Sequence, residues 1–240
     1  MRTTAAIAAA AALVAGLASR APAQQNCGPC GSDFVAYETG EKVGINTVFT
    51  VTTPFTSGTV DLTKSHRLLV PAGINGQSPA NPGVHYFGVE AEKGTYDTNT
   101  TPDRMFSTSL GTVTFKPGTI KFFYDPTSKA PVPGNPGPPP TADPLLCFAA
   151  RTGSKGPKPD IATTDQFGTQ HPSLMGIAYA CVASSISGPA PAESWIVCFS
   201  QRTRDAIKPP DVNLNTLDLG SFSNMDLDPL DEVCLQATVQ

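Results

Sequence analysis

Six cysteines have the strongest claim to chemistry in this chain: Cys27, Cys30, Cys147, Cys181, Cys198 and Cys234. Cys27-Gly-Pro-Cys30 spells the active-site motif of thiol oxidoreductases, in which a strand precedes the motif and a helix N-terminus lowers the first thiol's pKa. Here Gly31-Ser32-Asp33 follows instead of a helical pattern, so the pair reads as a small N-terminal loop disulfide, Cys27–Cys30. Cys147 and Cys181 lie 34 residues apart, and Cys198 and Cys234 lie 36 apart. No CxxC spacing or accompanying histidine exists among these four, which argues against a zinc site. Equivalent bridges Cys147–Cys181 and Cys198–Cys234 are the simplest symmetric solution; Cys147–Cys198 with Cys181–Cys234 is the other.

Other candidate chemistry is sparser. Asp226, Asp228 and Asp231, within an acidic run that also holds Asp218 and Glu232, have some of the look of a Ca²⁺ site. They lack the glycine and closing glutamate of an EF-hand loop, and a solvated acidic turn accounts for them. His66, His85 and His171 are scattered, and neither a Gly-x-Ser-x-Gly elbow nor a His-Glu-x-x-His pair is present. Trp195, the single tryptophan, opens a cysteine-bearing strand. Packing against the nearby bridge fits it better than an exposed sugar platform. Arg151-Thr152 and Arg202-Thr203 recur at equivalent places, which fits a structural role.

Disulfides form and persist mainly in oxidising compartments, and residues 1–23 read as an export signal. Arg2 supplies the positive start, Ala5 to Leu17 the apolar run, and Ala21-Pro22-Ala23 the small residues of a cleavage site. The run is short for a membrane span, and no later segment has the length. Removing Arg2 and Arg20 leaves 14 basic and 20 acidic side chains, a net charge of −6. That balance disfavours nucleic acid and anionic membrane surfaces, which call for a basic face.

The elements that must position these residues repeat. Cys147-Phe-Ala-Ala-Arg-Thr, running to Pro159-Asp160-Ile161, superposes without a gap on Cys198-Phe-Ser-Gln-Arg-Thr, running to Pro210-Asp211-Val212. Each then reaches an apolar-Gly pair, Phe167-Gly168 or Leu219-Gly220, and closes on Cys181 or Cys234. Upstream the pattern weakens: Phe34 to Tyr37 matches the opening strand and Leu68-Leu-Val70 the closing one. A further unit opens at His85-Tyr-Phe-Gly-Val89 and closes at Ile120 to Tyr124. Four units follow, at about 33–83, 84–130, 144–193 and 194–240. With 24 Pro and 21 Gly in 240 residues, and no sustained 3.6-residue apolar stripe, long helices are excluded. Thr47 to Thr53 and Gly111 to Phe115 alternate as half-buried strands do.

The expected fold is all-β: repeats of about 50 residues paired into two sandwich-like domains, 33–130 and 144–240. The Pro-rich stretch 131–143 links them, a short segment 24–32 precedes them, and the disulfides brace the C-terminal half.

Leu145-Leu-Cys-Phe148, Asp165-Gln-Phe-Gly168 and Cys181-Val182 together resemble the units of a family of secreted bacterial repeat proteins built on a domain of unknown function. The likeness covers 144–240 well and 33–130 loosely. It implies a tandem extracytoplasmic domain and carries no activity or cofactor. The expectation is a secreted or periplasmic, non-catalytic β-repeat protein with a structural, adhesive or binding role toward an extracellular or envelope partner. A carbohydrate- or Ca²⁺-binding module is the alternative, and an extracytoplasmic hydrolase or thiol oxidoreductase a further one.

Overall fold

The structure, a computed structural model, describes residues 31–240. The export signal and the Cys27–Cys30 pair lie outside the described residues. Four successive segments follow one plan, in which a barrel strand leads to an excursion and returns as a second, longer barrel strand. The first holds β1 (Asp33–Thr39), β2 (Gly44–Thr52) and β3 (Ser57–Ile74). The second holds β4 (His85–Lys93), β5 (Arg104–Thr108), β6 (Gly111–Phe115) and β7 (Pro117–Pro131). The third holds β8 (Leu145–Ala150), β9 (Thr163–Asp165), β10 (Gly168–Gln170) and β11 (Ser173–Ala183), with the short β12 (Ser185–Ile186) after it. The last holds β13 (Trp195–Arg202), β14 (Val212–Thr216), β15 (Ser221–Met225) and β16 (Leu227–Val239).

Strands β1, β3, β4, β7, β8, β11, β13 and β16 pair antiparallel in that order, and β16 returns to β1. The result is a closed eight-stranded up-and-down barrel, which leaves no central edge exposed. The all-β expectation holds, as does the disulfide-braced C-terminal half. The division into two sandwiches does not, because both halves contribute strands to the same barrel. The Pro-rich segment joins β7 to β8, which are barrel neighbours. It is pinned along β14, where Asn213 and Asn215 donate from Nδ2 to the Gly134 and Gly137 carbonyls at 2.7 and 3.1 Å. Such a stretch cannot enter a ladder, but its carbonyls still accept.

Two apolar layers explain why the barrel strands read as continuous hydrophobic runs rather than alternating ones. Inward, Phe34, Leu69, Tyr86, Phe122, Tyr124, Leu145, Tyr179 and Ile196 fill the lumen together with four cysteines. That this face is the inside follows from Arg67 of β3, whose guanidinium carbon lies 5.9 Å from the Tyr179 ring of β11, four strands away. Outward, residues such as Val35, Phe87, Phe148 and Phe199 lie beneath the four excursions. Those excursions show the period-two pattern: Val51 of β2 is buried while Val48 is exposed. Three first excursion strands pair with a barrel strand two segments away, β5 with β16, β9 with β3 and β14 with β7, whereas β2 pairs with β3 and with the short β12.

The disulfides join directly opposed residues of one hairpin each, Cys147 to Cys181 and Cys198 to Cys234. The within-unit scheme is the one formed. In the first two hairpins the corresponding registers carry Ala36 opposite Leu69 and Gly88 opposite Tyr124, a small residue facing a large one. Gly88 is dictated by its neighbour, since a Cβ there would lie 2.3 Å from Tyr124 Cε1. The shared register predicts that Ala36→Cys with Leu69→Cys closes a third bridge in the lumen. Mass spectrometry of the unreduced variant should show two fewer hydrogens and no free thiol, and two free thiols would refute the equivalence.

Candidate functional site

Each long second strand carries one unpaired residue at the same place in the ladder: His66, Lys121, Ala178 and Asp231 have no opposite partner. A bulge of this kind turns two consecutive side chains toward one face. The doublets so aimed are His66-Arg67, Lys121-Phe122, Ala178-Tyr179 and Asp231-Glu232, and they converge at one mouth of the barrel. Arg67 stacks over Phe122 at 4.5 Å, and its Nε stands 3.0 Å from Asp231 Oδ2 and 3.2 Å from Glu232 Oε2. Arg67 and Glu232 are almost wholly buried, with side-chain exposures of 7% and 4%. Burial raises Glu232 to about 6 despite the pull of Arg67. Lys121 lies over the Phe122 and Tyr179 rings, and burial lowers its pKa. His66 sits between Glu38 and Glu90, 3.8 and 3.3 Å away. Burial, with Arg67 and Lys42 nearby, holds it down at about 4, so it is neutral at pH 7.

A second polar site lies outside the barrel. Asp160, His171, Ser173, Met175, Arg202, Arg204 and Asp205 line an open depression of about 510 Å³ where β11 begins and β13 ends. It joins a histidine to a serine and carboxylates, the set a hydrolase would need. Ser173 Oγ donates to Asp160 Oδ1 at 2.5 Å, while His171 Nδ1 stands 3.7 Å from Asp205 Oδ2. In a nucleophilic triad the serine proton goes to the imidazole. Here the hydroxyl is turned to a carboxylate instead.

The remaining sequence candidates are dispersed. Asp226 pairs with Lys208 at 3.0 Å and Asp231 with Arg67, so the three aspartates proposed for Ca²⁺ do not converge. No cluster of three or more metal-ligating side chains occurs among the described residues. His85 is buried near Lys129, with its pKa pushed down to about 3 by burial first and that charge second. Trp195 is buried as expected, but against Phe55, Phe106 and Phe115 on the outer face rather than against a disulfide. Residues 195 and 198 are an odd number apart, so they point to opposite sides of β13. The indole N–H donates to Glu193 at 2.8 Å.

One buried carboxyl escaped the sequence reading. Asp125 on β7 accepts N–H bonds from Asp218 and Leu219 at 2.8 and 3.0 Å and so fixes the turn between β14 and β15. Burial pushes its pKa up to about 7. A carboxyl raised in the folded state contributes stability below its unfolded pKa, and loses it as pH rises through the folded value. Asp125→Asn should therefore gain stability relative to the parent as pH goes from 5 to 8, with a slope up to about 1.4 kcal/mol per unit. Urea melts of both proteins across that range check it, and a pH-independent difference contradicts it.

The two disulfides fit an oxidising compartment outside the cytoplasm. Among the described residues no helix is long and apolar enough to cross a membrane. No family model, curated protein or solved structure matches the chain.

Proposed function

We propose that the chain is an exported scaffold without catalysis of its own, a structural, adhesive or binding module of the cell envelope or the extracellular space. The observation that carries this reading is the filled lumen. Barrels that hold small molecules keep an internal cavity. In this one Phe34, Tyr86, Phe122, Tyr124, Tyr179 and both disulfides occupy that space, each at most 1% exposed. Whatever the protein engages then meets its outer surface. The export-signal pattern of residues 1–23 and the likeness to secreted bacterial repeat proteins favour the same reading, and fourfold duplication of one hairpin unit accounts for the common plan of the segments. A sugar platform at Trp195 is disfavoured by its burial, and a hydrolase by the direction of the Ser173 hydroxyl.

Fractionation of a bacterium expressing the full chain, with thiol labelling of unreduced protein, tests it. Recovery beyond the cytoplasmic membrane, shortened at the N-terminus and without reactive thiols, is the expected result. Retention in the cytoplasm with thiols free would overturn it.

A further inference from the structure

Five arginines lie among the described residues, and three of them are matched to carboxylates. Arg67 pairs with Asp231 and Glu232, Arg104 with Glu193, and Arg151 with Asp103. The guanidinium groups of Arg202 and Arg204 form no ion pair or hydrogen bond with any described residue. Both line the outer depression of about 510 Å³. Arg202 ends β13 and Arg204 lies in the bend just after it, so both side chains border the same hollow.

The two aspartates of the depression balance its formal charge, but neither is paired with a guanidinium. Asp160 is engaged by Ser173, Asp205 faces His171, and both carboxylates stand beyond ion-pair distance of either guanidinium. Two guanidiniums free of a carboxylate partner in one hollow set it apart from the sites of Arg67, Arg104 and Arg151. A guanidinium presents a planar fork of donors that fits two oxygens of one anion. The volume falls within the range of small-ligand sites. Met175 offers the one large apolar contact there, with 47% of its surface exposed.

We propose that this depression binds an oxyanion carried on a polar ligand, a carboxylate or a phosphate, with Arg202 and Arg204 as its clamp. His171 adds a third donor. The site goes beyond the scaffold reading and is independent of it, since a failure of export would leave a binding measurement on purified protein unchanged.

The test is an amide chemical-shift titration of the purified mature chain at low ionic strength. Three probes are used: inorganic phosphate, digalacturonate as a carboxylated sugar, and lactose as an uncharged control. Saturable shifts are expected at Ser173, Met175 and Arg202 with phosphate, digalacturonate or both, and none with lactose. The preferred probe identifies the oxyanion. Arg202→Gln with Arg204→Gln should weaken binding roughly tenfold or more. Because both side chains are exposed, the melting temperature should stay that of the parent. Absence of saturable shifts with both anions, shifts equal to those with lactose, or unchanged affinity in the double variant would overturn the proposal.

Discussion

Replacing Arg67 by Met is expected to lower the unfolding free energy at neutral pH by about 3–5 kcal/mol, the usual cost of leaving a buried charge without its partner. The side chain of Glu232 is 4% exposed and faces the lumen, so water cannot take over the role of the guanidinium. Asp231 is 36% exposed and can rehydrate, which places most of the loss on Glu232. For a domain of this size the corresponding fall in melting temperature is about 6–20 °C. The same logic fixes two further results. Protonating Glu232 removes the stranded charge, and without the pull of Arg67 the group takes its proton above about 6, its value in the parent, so the deficit should shrink as pH falls toward 6. Adding Glu232→Met to Arg67→Met should recover most of the loss, because an apolar pair of similar volume needs no desolvation. Calorimetry of the single and double variants at two pH values decides the matter. A loss below 1 kcal/mol, or a double variant no better than the single one, would show that solvent reaches the pair.

How far the chain could be read in advance depended on whether a feature was local. The cysteine frames, with apolar-Gly pairs at matching distances, were visible as repeated residue types, and they led to the bridges that form. Phe167 and Leu219 precede glycines with positive φ, Gly168 and Gly220, so the turns between excursion strands were marked too. Closure was not visible. Phe34 meets Cys234, 200 positions further along the chain, and no local pattern encodes which distant strand a given strand will join. Two sandwiches and one barrel share the same runs of strand residues, and the Pro-rich segment looked like a boundary because its composition says nothing of its docking on β14.

The charged mouth carried a signal of a different kind. His66-Arg67 and Lys121 interrupt runs that otherwise read as strands buried on both faces, and a charge in such a run marks either a mismatch or a bulge. Leu69 follows Phe55 by 14 residues as Cys181 follows Phe167, which sets Arg67 against Tyr179 and His66 against Ala178. Once a charge in one copy faces an aromatic in another, an inward-turned doublet common to all four follows. Asp125 gave no such signal, because its partners are main-chain groups 93 and 94 positions away.

Loss of the disulfides should cost more than any other change. Cys147–Cys181 and Cys198–Cys234 close segments of 34 and 36 residues. In the chain-entropy account each is worth about 4 kcal/mol. Domains are stable by only about 5–15 kcal/mol in total. Either Cys→Ala pair alone should leave a folded barrel with a melting temperature lower by about 8–16 °C, whereas the variant lacking all four should lack a cooperative transition at 37 °C. The two pairs are not equivalent in position. Cys198–Cys234 holds β16, the strand whose pairing with β1 closes the barrel, while Cys147–Cys181 joins β8 to β11, neither of which borders that seam. Opening of the β1–β16 seam should therefore follow loss of Cys198–Cys234 first. Hydrogen exchange is the measurement: amides of Phe34 to Ala36 and Val233 to Gln236 should exchange faster in the Cys198→Ala/Cys234→Ala variant than in the Cys147→Ala/Cys181→Ala variant at matched distance from their melting points. Equal protection of the seam in both would mean that the bridges act on the unfolded chain alone, and that neither guards the closure.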